Sequence, residues 1–211
     1  MVPGADALYI LGDLFEAWVG DDSLDLPFPA RVAGAVARTA RATPTFFMRG
    51  NRDFVIGERF ARETGVTLLE DPAEIDLYGT PALILHGDTL CTDDHEYQAF
   101  RTQVRNPAWQ KAALARPLAE RLHIAANMRA GSDRAKAGKS MDLMDVAPAA
   151  VDAEFARSGR GLMIHGHTHR PARHDHVVDG KACVRWVLPD WYESGGYLEA
   201  TPSGVRAVAL A

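Results

Sequence analysis

Short apolar runs punctuate the chain, and each stops at a cluster of small polar residues. Ala7–Leu11, Thr45–Met48, Ala82–Leu85 and Gly161–Ile164 lack an alternating polar face, so they predict buried strands rather than half-exposed ones. Ile75 to Leu85 reads as two strands about a Tyr78-Gly79 turn, with Pro81 confined to an edge or a strand start. Between the runs the period changes to that of helices. One helix is expected from the Pro27–Pro29 link to about Thr43, and a second from Phe54 to about Glu63, capped by Asp53. From Tyr97 to Lys139 the residues Phe100, Val104, Trp109, Leu114, Leu118, Leu122 and Met128 recur at helical spacing, and Pro107 and Pro117 divide that stretch. Pro148 suits a helix start and Gly159 its stop. The tail alternates around Asp179-Gly180 and Pro202-Ser203-Gly204 and predicts antiparallel strands.

Strands alternating with helices indicate the α/β class, and 211 residues fit a single domain, 1–211, with 95–145 as a helical cap inserted in it. With 47% apolar and 24% charged residues the composition is that of an ordinary globular protein. No apolar run reaches the length of a membrane span and no secretory leader is visible, so the expected compartment is the cytoplasm. Cys91 and Cys183 stand far apart and read as buried thiols. A net charge of −5 argues against broad nucleic-acid binding, and no obligate protein partner is expected. The charge is unevenly spread, however: Arg101 to Lys139 carries nine basic residues against Glu120 and Asp133.

The residues that end the four buried strands carry the chemistry. Asp13 follows the first, Asn51 and Arg52 the second, His86 the third, and His165, His167 and His169 the fourth. Open α/β sheets place their sites at these carboxyl ends. A carboxylate, a neutral amide and imidazoles are the ligand types of a transition-metal site that must also admit an anion. Arg52 has the planar fork of donors that grips phosphate. Any one of these alone is ordinary turn chemistry, and their common position sets them apart. His174 and His176 imitate a ligand pair but are expected on the surface.

The blocks Gly12-Asp13-Leu14-Phe15-Glu16, Gly50-Asn51-Arg52-Asp53, His86-Gly87-Asp88 and Gly166-His167-Thr168-His169, in this order, resemble the calcineurin-like metallophosphoesterases. That resemblance implies a two-sheet sandwich flanked by helices, with two cations, Mn²⁺ among the candidates, that activate a water-derived nucleophile. It implies Asp13 as the bridging ligand, Asn51, His86 and His165 on the second ion, and His167 on the first. The longer strings from Gly12 to Asp22, His86 to Asp94 and Ile164 to Pro171 look like the branch that hydrolyses the pyrophosphate of UDP-2,3-diacylglucosamine to UMP and the diacylated glucosamine 1-phosphate, a step of lipid A biosynthesis. For that branch the match implies substrate contacts at Asn51, Arg52, Asp94, Tyr97, Arg129, Ser132, Lys136, Lys139 and His165. It also implies a peripheral position on the cytosolic face of the inner membrane, which the basic, amphipathic cap suits. Lys136 replaces an amide found in some members. Ser132, Gly131 and Gly138 are expected to form a loop that closes over a polar head group.

The chain departs from the family at one point, since no D-x-H block precedes Asp13. The first ion is therefore expected to keep only Asp13 and His167, and a version extended upstream by the missing βα unit to be more stable and more active. The alternatives at this stage are another dimetal nucleotide phosphoesterase or an inactive fragment that only binds ligand.

Overall fold

The computed structural model describes residues 4–137, 145–192 and 195–210, at 133–137 for the backbone alone. The chain divides into two compact units, Met1–Leu69 with His95–Met141, and Glu70–Asp94 with Asp142–Ala211. Both mix strands and helices, as the α/β expectation requires. No helix among the described residues is long and apolar enough to cross a membrane.

The first unit holds a parallel sheet of β1 (Leu8–Ile10), β2 (Thr45–Met48) and β3 (Thr67–Leu69), in that order. Helices α1 (Pro27–Ala40) and α2 (Glu58–Thr64) make the crossovers. Pro27 and Pro29 belong to the first turn of α1, where a missing N–H costs nothing, rather than to a link before it. Three further helices follow: α3 (His95–Val104), α4 (Pro107–Leu114) and α5 (Leu118–Ala137). The breaks fall at the prolines, as expected. Gly131 and Ser132, expected in a loop, instead belong to α5, and Gly138 lies outside the described residues. Tyr97 is half-buried on α3, Lys136 lies in the last turn of α5, and Lys139 lies outside the described residues.

The core of this unit is aromatic. Phe60 of α2 is fully buried, with its ring 5.4 Å from Trp18, 5.7 Å from Phe47 and 6.1 Å from Phe15. Phe15 and Trp18 belong to the loop that leaves β1, so this cluster anchors the loop that carries Asp13.

The helix expected from Phe54 begins only at Glu58, and Asp53 does not cap it. The cap comes from Asp21, distant in sequence, whose carboxylate accepts from the backbone N–H groups of Gly57, Arg59 and Phe60 at 2.9, 2.9 and 3.0 Å. Asp21 also accepts from the Trp18 indole at 3.2 Å. An Asp21→Ala chain leaves these donors unmet and should lose about 2 kcal/mol, read as a lower urea midpoint. A midpoint equal to that of the unsubstituted chain would remove this role.

The second unit holds a sheet in the order β4 (Ala73–Leu77), β5 (Thr80–Leu85), β6 (Leu162–His165), β8 (Lys181–Val187), β7 (Ala172–Val178). The three central strands are parallel, and β4 and β7 pair antiparallel at the edges. Pro81 sits in an edge pair with Asp76, as anticipated. Leu83, Leu85 and Met163 pack with Val151 and Phe155 of α6 (Pro148–Ser158), which stops at Gly159 in the left-handed conformation. β9 (Gly195–Thr201) and β10 (Gly204–Leu210) form a separate hairpin. Both cysteines are free and buried, and burial pushes the Cys91 thiol up to about 12.

Candidate functional site

In the first unit the loops after β1 and β2 are stitched together by a carboxylate that sequence reading assigned elsewhere. Asp53 is fully buried and accepts from Gly50 N–H at 2.7 Å and from Leu14 N–H at 2.8 Å, one donor from each loop. Trp18 N–H donates to the Arg52 carbonyl at 2.9 Å and adds a second stitch. Asp13 takes a left-handed backbone, with φ of 55°, which a β-carbon makes costly and which this bracing holds. Its Oδ1 accepts from Arg52 N–H at 2.9 Å, and its Oδ2 is 3.5 Å from the Arg52 guanidinium. Asp13, Asn51 and Arg52 are thus brought together.

Arg52 also forks onto Glu16, with both carboxylate oxygens at 2.8 Å from Nη1, and Arg129 of α5 reaches the same carboxylate at 2.7 Å. Glu16 therefore holds both guanidiniums on one carboxylate. The basic stretch is less a solvated face than its composition suggested. Arg105 donates to the Gly50 carbonyl at 3.0 Å, and buried Arg121 donates to the Val19 carbonyl and pairs with Asp22. Two of its cations therefore hold α3 and α5 to the site loops. Arg121 keeps the Asp22 carboxyl below the usual carboxylate range. Ser132 is exposed.

The second unit gathers the imidazoles. His86 and His165 are buried, and the rings of His86 and His167 lie 5.0 Å apart, edge to face. Gly166 N–H donates to the His86 carbonyl at 2.9 Å, joining the loops after β5 and β6, and Thr168 N–H closes a tight turn on the Gly166 carbonyl at 2.8 Å. His167 is left-handed, with φ of 65°. Gly87 is required here: its φ is 115°, and a β-carbon would meet His165 Nδ1 at 2.7 Å. His169 Nδ1 lies 3.5 Å from a carboxylate oxygen of Asp190. Asp94 is half-buried in this unit. His174 and His176 are half-buried rather than superficial, and the His176 ring packs on Phe155 at 5.4 Å.

Burial pushes the His165 imidazole from 6.5 down to about 4, with the Gly166 carbonyl partly opposing. The folded chain thus refuses a proton that the unfolded chain takes between these values. The stability tied to this group is whole above pH 6.5 and is lost as the pH falls towards 4. The loss over that interval is about 3 kcal/mol in the metal-free protein. Urea unfolding at neutral and acid pH should show a smaller loss in His165→Gln; parallel profiles would exclude this cause.

Imidazole, carboxylate and neutral amide are each donor types that a divalent transition cation takes. No family model matches the chain. A UDP-2,3-diacylglucosamine hydrolase of Xanthomonas campestris pv. campestris is 50% identical over 222 residues, covering 100% of this chain and 88% of the relative. One from Salmonella typhi is 51% identical over 207 residues, covering 98% and 86%. A solved archaeal phosphodiesterase is 13% identical, with a TM-score of 0.44 over 99% of this chain and 85% of its own. The elements make this an α/β protein, and its relatives are hydrolases. The chain belongs to the UDP-2,3-diacylglucosamine hydrolase family.

Proposed function

We infer that this protein hydrolyses the pyrophosphate bond of UDP-2,3-diacylglucosamine, giving UMP and 2,3-diacylglucosamine 1-phosphate, in lipid A biosynthesis. The observation that carries the reading is the 50% identity to a hydrolase of that name over the whole chain. Asp13, Asn51, His86, His165 and His167 are the ligands we assign to divalent cations, with manganese as the proposed metal. When bound, such cations supply Lewis acidity to the attacking water and offset charge on the phosphoryl oxygens. The chain's own part is binding and orientation. Arg52 and Arg129, set side by side by Glu16, grip the diphosphate through charge-assisted hydrogen bonds. Asn51 adds a donor and acceptor with no charge to repel the anion. Asp94, Tyr97, Ser132, Lys136 and Lys139 are assigned to the head group on the family's pattern.

Exposed Phe100, Leu114, Leu122 and Met128 on helices rich in arginine support a peripheral site on the cytosolic face of an anionic membrane. Cosedimentation with anionic vesicles at low salt is expected, and its absence would remove that part of the proposal. The test of the activity is UMP release from UDP-2,3-diacylglucosamine with added Mn²⁺, compared with Mg²⁺ and Zn²⁺, and with UDP-glucosamine lacking acyl chains as the second substrate. The acylated substrate with Mn²⁺ should be preferred. Equal turnover of the soluble nucleotide would point instead to a general nucleotide phosphoesterase.

A further inference from the structure

Glu16 stands on the loop after β1 between two buried rings, Phe15 and Trp18, with its own side chain 56% exposed. The rings fix the backbone, so the core aims a carboxylate that itself lies in solvent. Its Oε2 meets two guanidiniums at once, Arg52 Nη1 from the loop after β2 at 2.8 Å and Arg129 Nη2 from α5 at 2.7 Å. Arg52 Nη1 donates to Oε1 as well, again at 2.8 Å. Through Nε the same guanidinium lies 3.5 Å from Asp13, and the Arg52 side chain is 9% exposed.

As struts these contacts are weak, because solvent screens an exposed ion pair and two long side chains lose freedom in forming it. α5 is moreover held already by buried Arg121, which donates to the Val19 carbonyl and to Asp22. The sign of the charge is more telling. A carboxylate beside two guanidiniums weakens the positive field that draws an anion in, so Glu16 lowers affinity for a diphosphate. What it supplies is orientation, since a guanidinium pinned at one nitrogen to a fixed acceptor keeps the plane of its fork. We propose that Glu16 is a positioning residue for the hydrolysis, which holds Arg52 and Arg129 in the orientation in which they meet the phosphoryl oxygens while weakening anion binding itself. This rests on the reading of the chain as a hydrolase of a lipid-linked diphosphate.

The test compares the full chain with Glu16→Gln and Glu16→Asp, using near-ultraviolet circular dichroism to verify folding. Calorimetric titration with inorganic pyrophosphate, in chelator and without added metal, should show binding about threefold tighter in Glu16→Gln, which removes the charge. In UMP release from UDP-2,3-diacylglucosamine with Mn²⁺ the same variant should lose about tenfold in kcat with no rise in KM. Glu16→Asp keeps the charge on a shorter stem and separates the two effects: pyrophosphate affinity should match the unsubstituted chain while kcat stays reduced. A merely structural residue would lower turnover and anion affinity together. Equal or weaker pyrophosphate binding by Glu16→Gln, a kcat like that of the unsubstituted chain, or failure of both variants to fold would overturn this role while UMP release by the unsubstituted chain still supports the hydrolase. Absence of that release would overturn the hydrolase reading and this role with it.

Discussion

Asp13→Asn releases UMP from UDP-2,3-diacylglucosamine about 10³-fold more slowly than the unsubstituted chain, at unchanged fold. The substitution is chosen for what it keeps. An amide oxygen still accepts from Arg52 N–H, the 2.9 Å contact that braces the left-handed turn, so the loop retains its shape. What disappears is the negative charge, which a cation ligand needs and a turn residue does not. It also removes the partner that lies 3.5 Å from the Arg52 guanidinium, so anion binding need not weaken along with turnover. The expected pattern is a collapse in kcat with little change in KM, and weaker Mn²⁺ binding by calorimetry. A kcat within tenfold of the unsubstituted chain would return Asp13 to the role of a turn residue and leave the metal assignment without its carboxylate.

Phe60→Ala should cost about 3–5 kcal/mol, enough to threaten folding at physiological temperature. Its ring is fully buried and touches Phe15, Trp18 and Phe47, so truncation opens a cavity lined by rings that cannot collapse into it. Phe60→Leu, which keeps most of the volume, should lose less than half as much. The consequence reaches function because Phe15 and Trp18 flank Glu16 in the loop that bears Asp13. A folded Leu variant should therefore show slower UMP release as well as a lower urea midpoint. An unfolding free energy for Phe60→Ala within about 1 kcal/mol of the unsubstituted value, against the ~4 kcal/mol of such truncations, would mean the site loop is held by something else.

Much of this was readable along the chain. The apolar runs became β1, β2, β5 and β6, and the candidate donors follow their carboxyl ends, where side chains leaving a parallel strand are free to meet a ligand. The prolines that divide the cap and the Gly159 stop were also legible, since each acts through its own backbone. β3 (Thr67–Leu69) was not among the strands the pattern predicted.

Carboxylate roles were exchanged for a different reason. Asp53 precedes the helical stretch and reads as its cap, yet it staples two loops, while Asp21, some forty residues before the end of α2, makes the cap. A buried carboxylate goes to whichever N–H groups packing leaves unmet, and those belong to segments distant in sequence.

Local pattern by itself determined the strands, the breaks between helices and the set of donor residues, because period, proline and glycine act within a few residues. Tertiary structure alone decided which protein groups the cations hold. Arg105 and Arg121 look like a binding patch in composition but serve as struts, and Arg185, one letter in an alternating strand, becomes an imidazole partner. A guanidinium reaches far enough to choose among many carbonyls, carboxylates and rings, and only the folded chain sets which of them lie within its reach.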